Sequence, residues 1–546
     1  MNAEERFWAL EREFLSKLIE KDPLTATILG KHQPYDWYLP DGGEELHRWL
    51  VQLLSETLEK GMQLNHDDLS DDARRELKAL EYLYKLEKFN FEDHQKWKKN
   101  PEPFNYLSSA LFLMLTRDYA PIEERIAAIT SRLKEVPRYL KQFKTRFQNS
   151  RPIKLWTKLA IEIVKHQSVF LEAILAASRD RVSKQKLKDL EYAIEITTTA
   201  IAEYIDWLEH QLPTAVDEWP LGKEKFAKLM TIRNLGLSID EIHKLGWKYL
   251  HNLKRERARL AKQIAPNLSE AEVIHRIESH HPASFKEALT FTRQQMKQAR
   301  EFIIAHDLAT IPEGDELRVE ETPAFLTPLI PFAALFPPAK YDSRQIGTYI
   351  VTRPELQNLG KHLNYADIPV TAVHEGYPGH YLQLFASNKK GIFSVLTGSS
   401  ETVEGWAHYC EQMMEEQGFL QSLESQLMAV IAMIFRAVRI IVDVELSQGI
   451  MTFDEAVKML MTEVGMSKEG ALAEVHRYTQ YPGYQLSYLV GRHLISTLRE
   501  DVKRKLGEKY SDKFFHDFVI FNGNLPFNIL KEEIEMEIER RIHITL

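Results

Sequence analysis

The sequence predicts a mainly α fold in which helical lobes flank a cleft and a small β-sheet lies beside one motif-bearing helix. Three observations predict it. Apolar residues recur at three- and four-residue spacing through most of the 546 residues. Pro, Gly and Asp gather at the breaks between these runs. One stretch, 316–354, loses the helical period, carries six prolines and is rich in Val, Thr, Phe and Leu.

At the start, Phe7, Leu10, Phe14 and Leu18 form one apolar stripe with charges on the opposite side. Similar patterns predict helices within 45–60, 70–88, 122–148, 155–178, 185–211 and 239–264, with breaks at Asp22-Pro23, Pro40-Asp41-Gly42-Gly43 and Pro213. Leu317–Glu321 and Gly347–Thr352 suit short strands. Helical periodicity returns after about Ala366. The expected division is a helical lobe over 1–315 and a second, chemistry-bearing lobe over 316–546, joined without a flexible linker into one continuous unit.

Composition excludes several classes. Hydrophobic residues at 44% and charged ones at 27% are those of an ordinary globular chain, so a disordered or collagen-like one is not expected. A net charge of -9 with no basic block leaves no footprint for nucleic acid. The lone Cys410 excludes an intrachain disulfide framework and a cysteine-only zinc site. No run reaches the length of a membrane span, and the charged N-terminal stretch lacks the apolar core of a secretory signal. A cytoplasmic protein is the expectation, as monomer or homodimer.

The chemistry lies after the strand-like segment, in His374-Glu375-Gly376-Tyr377-Pro378-Gly379-His380. A catalytic zinc takes three His or carboxylate ligands and keeps one position for water, and a carboxylate beside the first His can take that water's proton. His374 and His380 are therefore expected as ligands and Glu375 as general base. In the common motif the two His are four residues apart, about 40° around a regular helix. Here they are six apart, about 240° around, so a regular helix cannot aim both at one ion. Pro378 has no N–H to offer the His374 carbonyl and disfavours helix at Tyr377, which predicts a loosened turn that Gly379 accommodates.

A third ligand is expected from Glu401-Thr-Val-Glu404-Gly-Trp-Ala-His408, which opens another helical run. Glu404, 24 residues after His380, is the candidate, Glu401 one turn earlier is its rival, and His408 is a candidate hydrogen-bond partner for a ligand carboxylate. Glu411, Glu415 and Glu416 are expected on a solvated face. Farther on, Tyr484, Tyr488 and Arg492 fall at four-residue steps. Tyr488 is the candidate donor to an oxyanion, and Arg492 and Tyr484 are candidate substrate contacts, Arg492 as a grip for a carboxylate.

His374-Glu-x-x-Pro-Gly-His380 with Leu382-Gln383, Glu404-Gly-Trp-Ala, Pro482-Gly-x-Gln-Leu-Ser-Tyr488 and the opening Asp22-Pro-Leu-Thr-Ala-Thr-Ile-Leu-Gly30 together resemble the family catalogued as domain of unknown function 885. That family is similar to helical gluzincin-type zinc peptidases such as thimet oligopeptidase and angiotensin-converting enzyme. The resemblance implies a deep active-site cleft between helical lobes, one zinc ion per chain, a downstream Glu that favours Glu404 over Glu401, and Tyr488 polarising the scissile carbonyl. It also gives Gly347–Thr352, with Tyr349, a role as an edge strand that pairs with the substrate backbone.

The expected activity is thus hydrolysis of short peptides through a metal-activated water. The alternatives are a zinc hydrolase of a non-peptide amide or amino-acid conjugate, and a catalytically inactive helical binding protein.

Overall fold

Helix starts and stops follow capping chemistry written into the sequence. Asn2 caps helix Ala3–Lys21 reciprocally: its side chain accepts from Glu5 N, and the Glu5 carboxylate accepts from Asn2 N. Asp22 then accepts from Leu24 N and Thr25 N, Pro23 opens helix Pro23–Leu29, and Gly30, at φ +84°, closes it. The computed structural model describes residues 2–324, 326–327, 330 and 332–543. Among them no helix is long and apolar enough to cross a membrane.

The chain divides into two compact units, Met1–Trp219 with Pro323–Leu329 and Ala339–Gln345, and Pro220–Thr322 with Ile330–Pro338 and Ile346–Leu546. The first is helical, with a core that includes Leu107, Ile129, Leu133, Val136, Leu171 and Tyr204. Its helices include Glu45–Met62, Asp71–Phe89, Ile122–Lys144 and Lys184–Gln211, close to the predicted runs. The predicted run at 155–178 is two helices, Lys154–Lys165 and Gln167–Ser178.

The second unit holds every candidate residue. Its boundary corrects the expected division at 315, because the change of texture there lies inside this unit. The physical reason is a shared core: Phe285, Leu289 and Met296 of helix Phe285–Ala305 are buried with Val319, Tyr349 and Val351 of the sheet and with Ala372. The sheet has three strands, β1 (Glu316–Glu321), β2 (Ala333–Phe336) and β3 (Ile346–Val351). Their order is β1-β3-β2, with β1 parallel and β2 antiparallel to β3, so Tyr349 pairs with Val319 on one side and Leu335 on the other.

This order corrects one expectation. β3 is the central strand, paired with β1 on one side and, from Thr348 to Val351, with β2 on the other, so this stretch is not an edge strand open to a substrate. β2, between prolines and without alternation, gave no strand signal in the sequence.

Candidate metal centre

The loosened turn is present. Ala372–Gly376 is a π-helical turn in which Tyr377 N donates to Ala372 O at 3.2 Å, and Gly379 N donates to Val373 O at 3.1 Å. Tyr377 is extended (φ −124°, ψ 124°), the Tyr377–Pro378 peptide is cis, and helix His380–Ser387 begins immediately after. Gly379 is required by space: a Cβ there would lie 1.9 Å from the His374 carbonyl oxygen and 2.3 Å from that of Val373. The detour brings the two imidazoles together, with ring centroids 4.7 Å apart and planes at 90°.

Glu404, on helix Ser400–Glu416, completes the group. One ligand atom from each of His374, His380 and Glu404 lies within 4.8 Å of the other two. Glu404 Oε2 is 3.4 Å from His380 Nε2, and Tyr484 Oη donates to Glu404 Oε1 at 3.2 Å. Burial by itself would raise the Glu404 carboxyl, but His380 and His374 outweigh it and hold the group down at about 2. Glu401 lies elsewhere. It is buried and paired with Arg233, whose guanidinium also donates to Gly483 O and, at 2.8 Å, to Ser487 Oγ. Its place is a structural tie between the Glu404 helix and the tyrosine segment.

Glu411 corrects the expectation of a solvated face. It is 6% exposed, and His374 Nδ1–H donates to its Oε1 at 2.6 Å. Burial opposes its ionisation, yet His408 and His374 hold it well below the ordinary carboxylate range. Glu411 in turn raises His374 against the effect of burial. A carboxylate on the far nitrogen of a ligand imidazole fixes its orientation and leaves Nε2 for a metal. Glu411 follows Glu404 by seven residues on one helix and so shares its face, a signal that could have found it. Glu415 and Glu416 are exposed as expected.

His408 is fully buried, its Nδ1 3.1 Å from the same Glu411 oxygen, and burial drives its pKa down to about 3. The expected hydrogen bond to a ligand carboxylate is not formed: the carboxylate beside His408 is Glu411 rather than Glu404, and neither ring nitrogen has a hydrogen-bond partner among the described residues. His374, His408 and Glu411 form a second trio of possible ligands that shares His374 with the first.

A match to the family described as bacterial protein of unknown function (DUF885) spans residues 23–534. The chain belongs to this family. No curated protein matches it. Two solved structures share the fold of this DUF885 chain. One is a candidate lipoprotein of unknown function from Shewanella oneidensis, 21% identical, with a TM-score of 0.80 over 97% of this chain and 99% of its own. The other is a candidate lipoprotein from Colwellia psychrerythraea, 19% identical, with a TM-score of 0.84 over 99% of this chain and 100% of its own. At such identities the likeness is one of fold.

The DUF885 motifs acquire physical roles here. Trp406 Nε1–H donates to Pro378 O at 2.8 Å, which locks the loosened turn onto the Glu404 helix. Gly405 meets Gly491 of helix Ser487–Leu506 backbone to backbone, and a Cβ at Gly405 would lie 2.4 Å from Gly491 C. That close approach carries the tyrosines to the site. Gly483, at φ +81°, turns the chain ahead of Tyr484, and its N donates to Asp443 Oδ1 at 2.8 Å. Tyr488 Oη lies 3.5 Å from Tyr484 Oη.

Arg492, expected as a grip for a substrate carboxylate, is half-buried and has a partner within the chain. Its Nε donates to Gln412 Oε1 at 3.0 Å, and its charge registers at Glu415 and Tyr249. Tyr349 is buried, and its hydroxyl is pushed up first by burial and then by the Glu375 carboxylate. With Phe332, Val351, His362, Leu363 and Thr371 it lines a cavity of about 180 Å³.

The Glu411 contact gives a prediction. Glu411→Gln removes the charge that raises His374 and is expected to weaken zinc binding by about 10- to 100-fold, read by competition with a chromophoric chelator. Unchanged affinity would show that His374 needs no such partner.

Proposed function

We propose that the protein is a zinc-dependent metallopeptidase that hydrolyses short peptides. The observation that supports this best is the convergence of His374, His380 and Glu404, with Glu375 next to the first of them. The donor set suits zinc: two imidazoles and a carboxylate, and among the described residues the buried His380 Nδ1 has no hydrogen-bond partner. When bound, zinc lowers the pKa of a water and polarises a carbonyl.

The chain's own residues supply the rest. Glu375, half-buried beside His374, accepts the proton of the attacking water and passes it to the leaving amine. Tyr488 donates its hydroxyl to the carbonyl oxygen as negative charge develops there. Tyr484 holds Glu404, and Glu411 holds His374. The gluzincin likeness, the deep cleft flanked by helical lobes and a cytoplasmic setting, all expected from the sequence, belong to the same reading.

The test is elemental analysis of protein purified without chelator, followed by digestion of a defined peptide mixture and mass mapping of the products. Stoichiometric zinc is expected, with cleavage that stops on chelation and returns with added zinc. Absence of zinc, or cleavage indifferent to chelator, would overturn the proposal. Products from a panel of non-peptide amides alone would move the activity to another bond.

A further inference from the structure

Helix Leu423–Gln448 turns one face toward the tyrosine segment. Asp443 accepts from Gly483 N at 2.8 Å and from Leu486 N at 2.9 Å. One turn earlier, Arg439 lies 4.7 Å from the Tyr488 ring centroid and donates to Tyr478 Oη at 3.0 Å and Glu474 Oε2 at 2.9 Å. A further turn back, on the same face, is Arg436.

The other guanidiniums of this region have partners. Arg439 and Arg477 share Glu474, Arg233 has Glu401, and Arg492 has Gln412. Arg436 is different. Among the described residues its one hydrogen bond is from Nη1 to Ala432 O at 3.0 Å, within its own helix. Its Nε is buried without an acceptor, and no carboxylate lies within ion-pair distance among the described residues. The residue as a whole is half-buried, so part of it remains reachable from solvent. It stands one turn from Arg439, whose guanidinium lies over the Tyr488 ring, on the helix face turned toward the tyrosine segment, and after Arg439 itself the charges that act on it are those of Glu411, Tyr488 and Glu404.

A planar guanidinium with open, partly desolvated donors is costly until an anion fills them, and a carboxylate fits that fork with two parallel hydrogen bonds. Every peptide carries one such group at its C-terminus, whatever its sequence. Acidic side chains are the other source.

We propose that Arg436 is the docking point for a substrate carboxylate, the C-terminal one first, so that the protein acts near the C-terminal end of short peptides. This rests on the peptidase reading, but it can be tested apart from cleavage. The probes are N-acetyl-trialanine as the free acid, its C-terminal amide, and N-acetyl-Ala-Ala-Glu amide. Their binding to the full chain is measured by calorimetry with chelator present, for wild type, Arg436→Gln and Arg436→Lys.

The free acid is expected to bind about 10- to 100-fold tighter than the amide, the size of hydrogen bonds to a charged group. The preference should vanish in R436Q and survive in part in R436K. If the Glu-containing amide binds tightly through Arg436 while the free acid does not, the site reads acidic side chains, and the C-terminal assignment falls. Equal binding of all three by wild type, or a preference untouched in R436Q, overturns the proposal and leaves Arg436 as a counter-charge for Glu404 and Glu411. An Arg436-dependent preference without any zinc-dependent cleavage would instead sink the peptidase reading and keep the carboxylate site. Circular dichroism checks that both variants fold, and R436K keeps the charge if R436Q does not.

Discussion

Glu375→Gln is expected to abolish peptide hydrolysis while zinc content stays at the wild-type level. Glutamine keeps the size and shape of the glutamate and its place on the π-helical turn, but it cannot accept a proton from water. General-base loss of this kind is worth about 10²- to 10⁴-fold in rate. Glu375 lies outside the His374, His380 and Glu404 group, so the ligand set should be untouched. Removing its charge should also relieve the upward push on the buried Tyr349 hydroxyl, a local effect without consequence for metal. The measurement pairs elemental zinc with product formation from a peptide the wild type cleaves. Retained hydrolysis would take Glu375 out of the role of base, and loss of zinc would make it part of the metal's support.

Gly405→Ala should damage the site without touching a ligand. The added Cβ would lie 2.4 Å from Gly491 C and 2.6 Å from Gly491 Cα, whereas ordinary contact begins near 3.4 Å. Both neighbours are backbone, so no change of rotamer relieves the clash, and the two helices must part by about an ångström. Overpacking of this kind costs roughly 1–3 kcal/mol or more. Separation also pulls Glu404 from Tyr484, which now sit 3.2 Å apart, and disturbs the Arg233 tie between Glu401 and Ser487. Denaturant unfolding should show the loss of stability, and chelator competition a loss of zinc affinity. A variant as stable as the wild type with unchanged affinity would mean the helices can shift without moving the site. The mirror substitution, Gly491→Ala, meets the Glu401 carbonyl oxygen at 2.2 Å and should behave alike.

Much of this protein was legible in its sequence, for local reasons. Helix runs follow apolar spacing, their ends follow side-chain caps and glycines, and the loosened turn after His374 follows from the missing N–H of Pro378. The closeness of His374, His380 and Glu404 was also expected from the sequence, because a motif of those residue types suggests a shared ion, and the fold brings the three together.

What only the tertiary structure decided concerns contacts between segments far apart in the chain. Central rather than edge placement of β3 depends on β2, a four-residue strand whose partners are chosen across the sheet. Burial of Glu411 against His374, the pairing of Glu401 with Arg233, and the turn of Arg492 toward Gln412 are each set by which helix packs on which. Periodicity places these residues on a helix face but does not name the neighbour. Arg436 gave no sequence signal at all. A guanidinium is recognised as unpaired only once every carboxylate around it has found its own partner, and that accounting exists only in the folded chain.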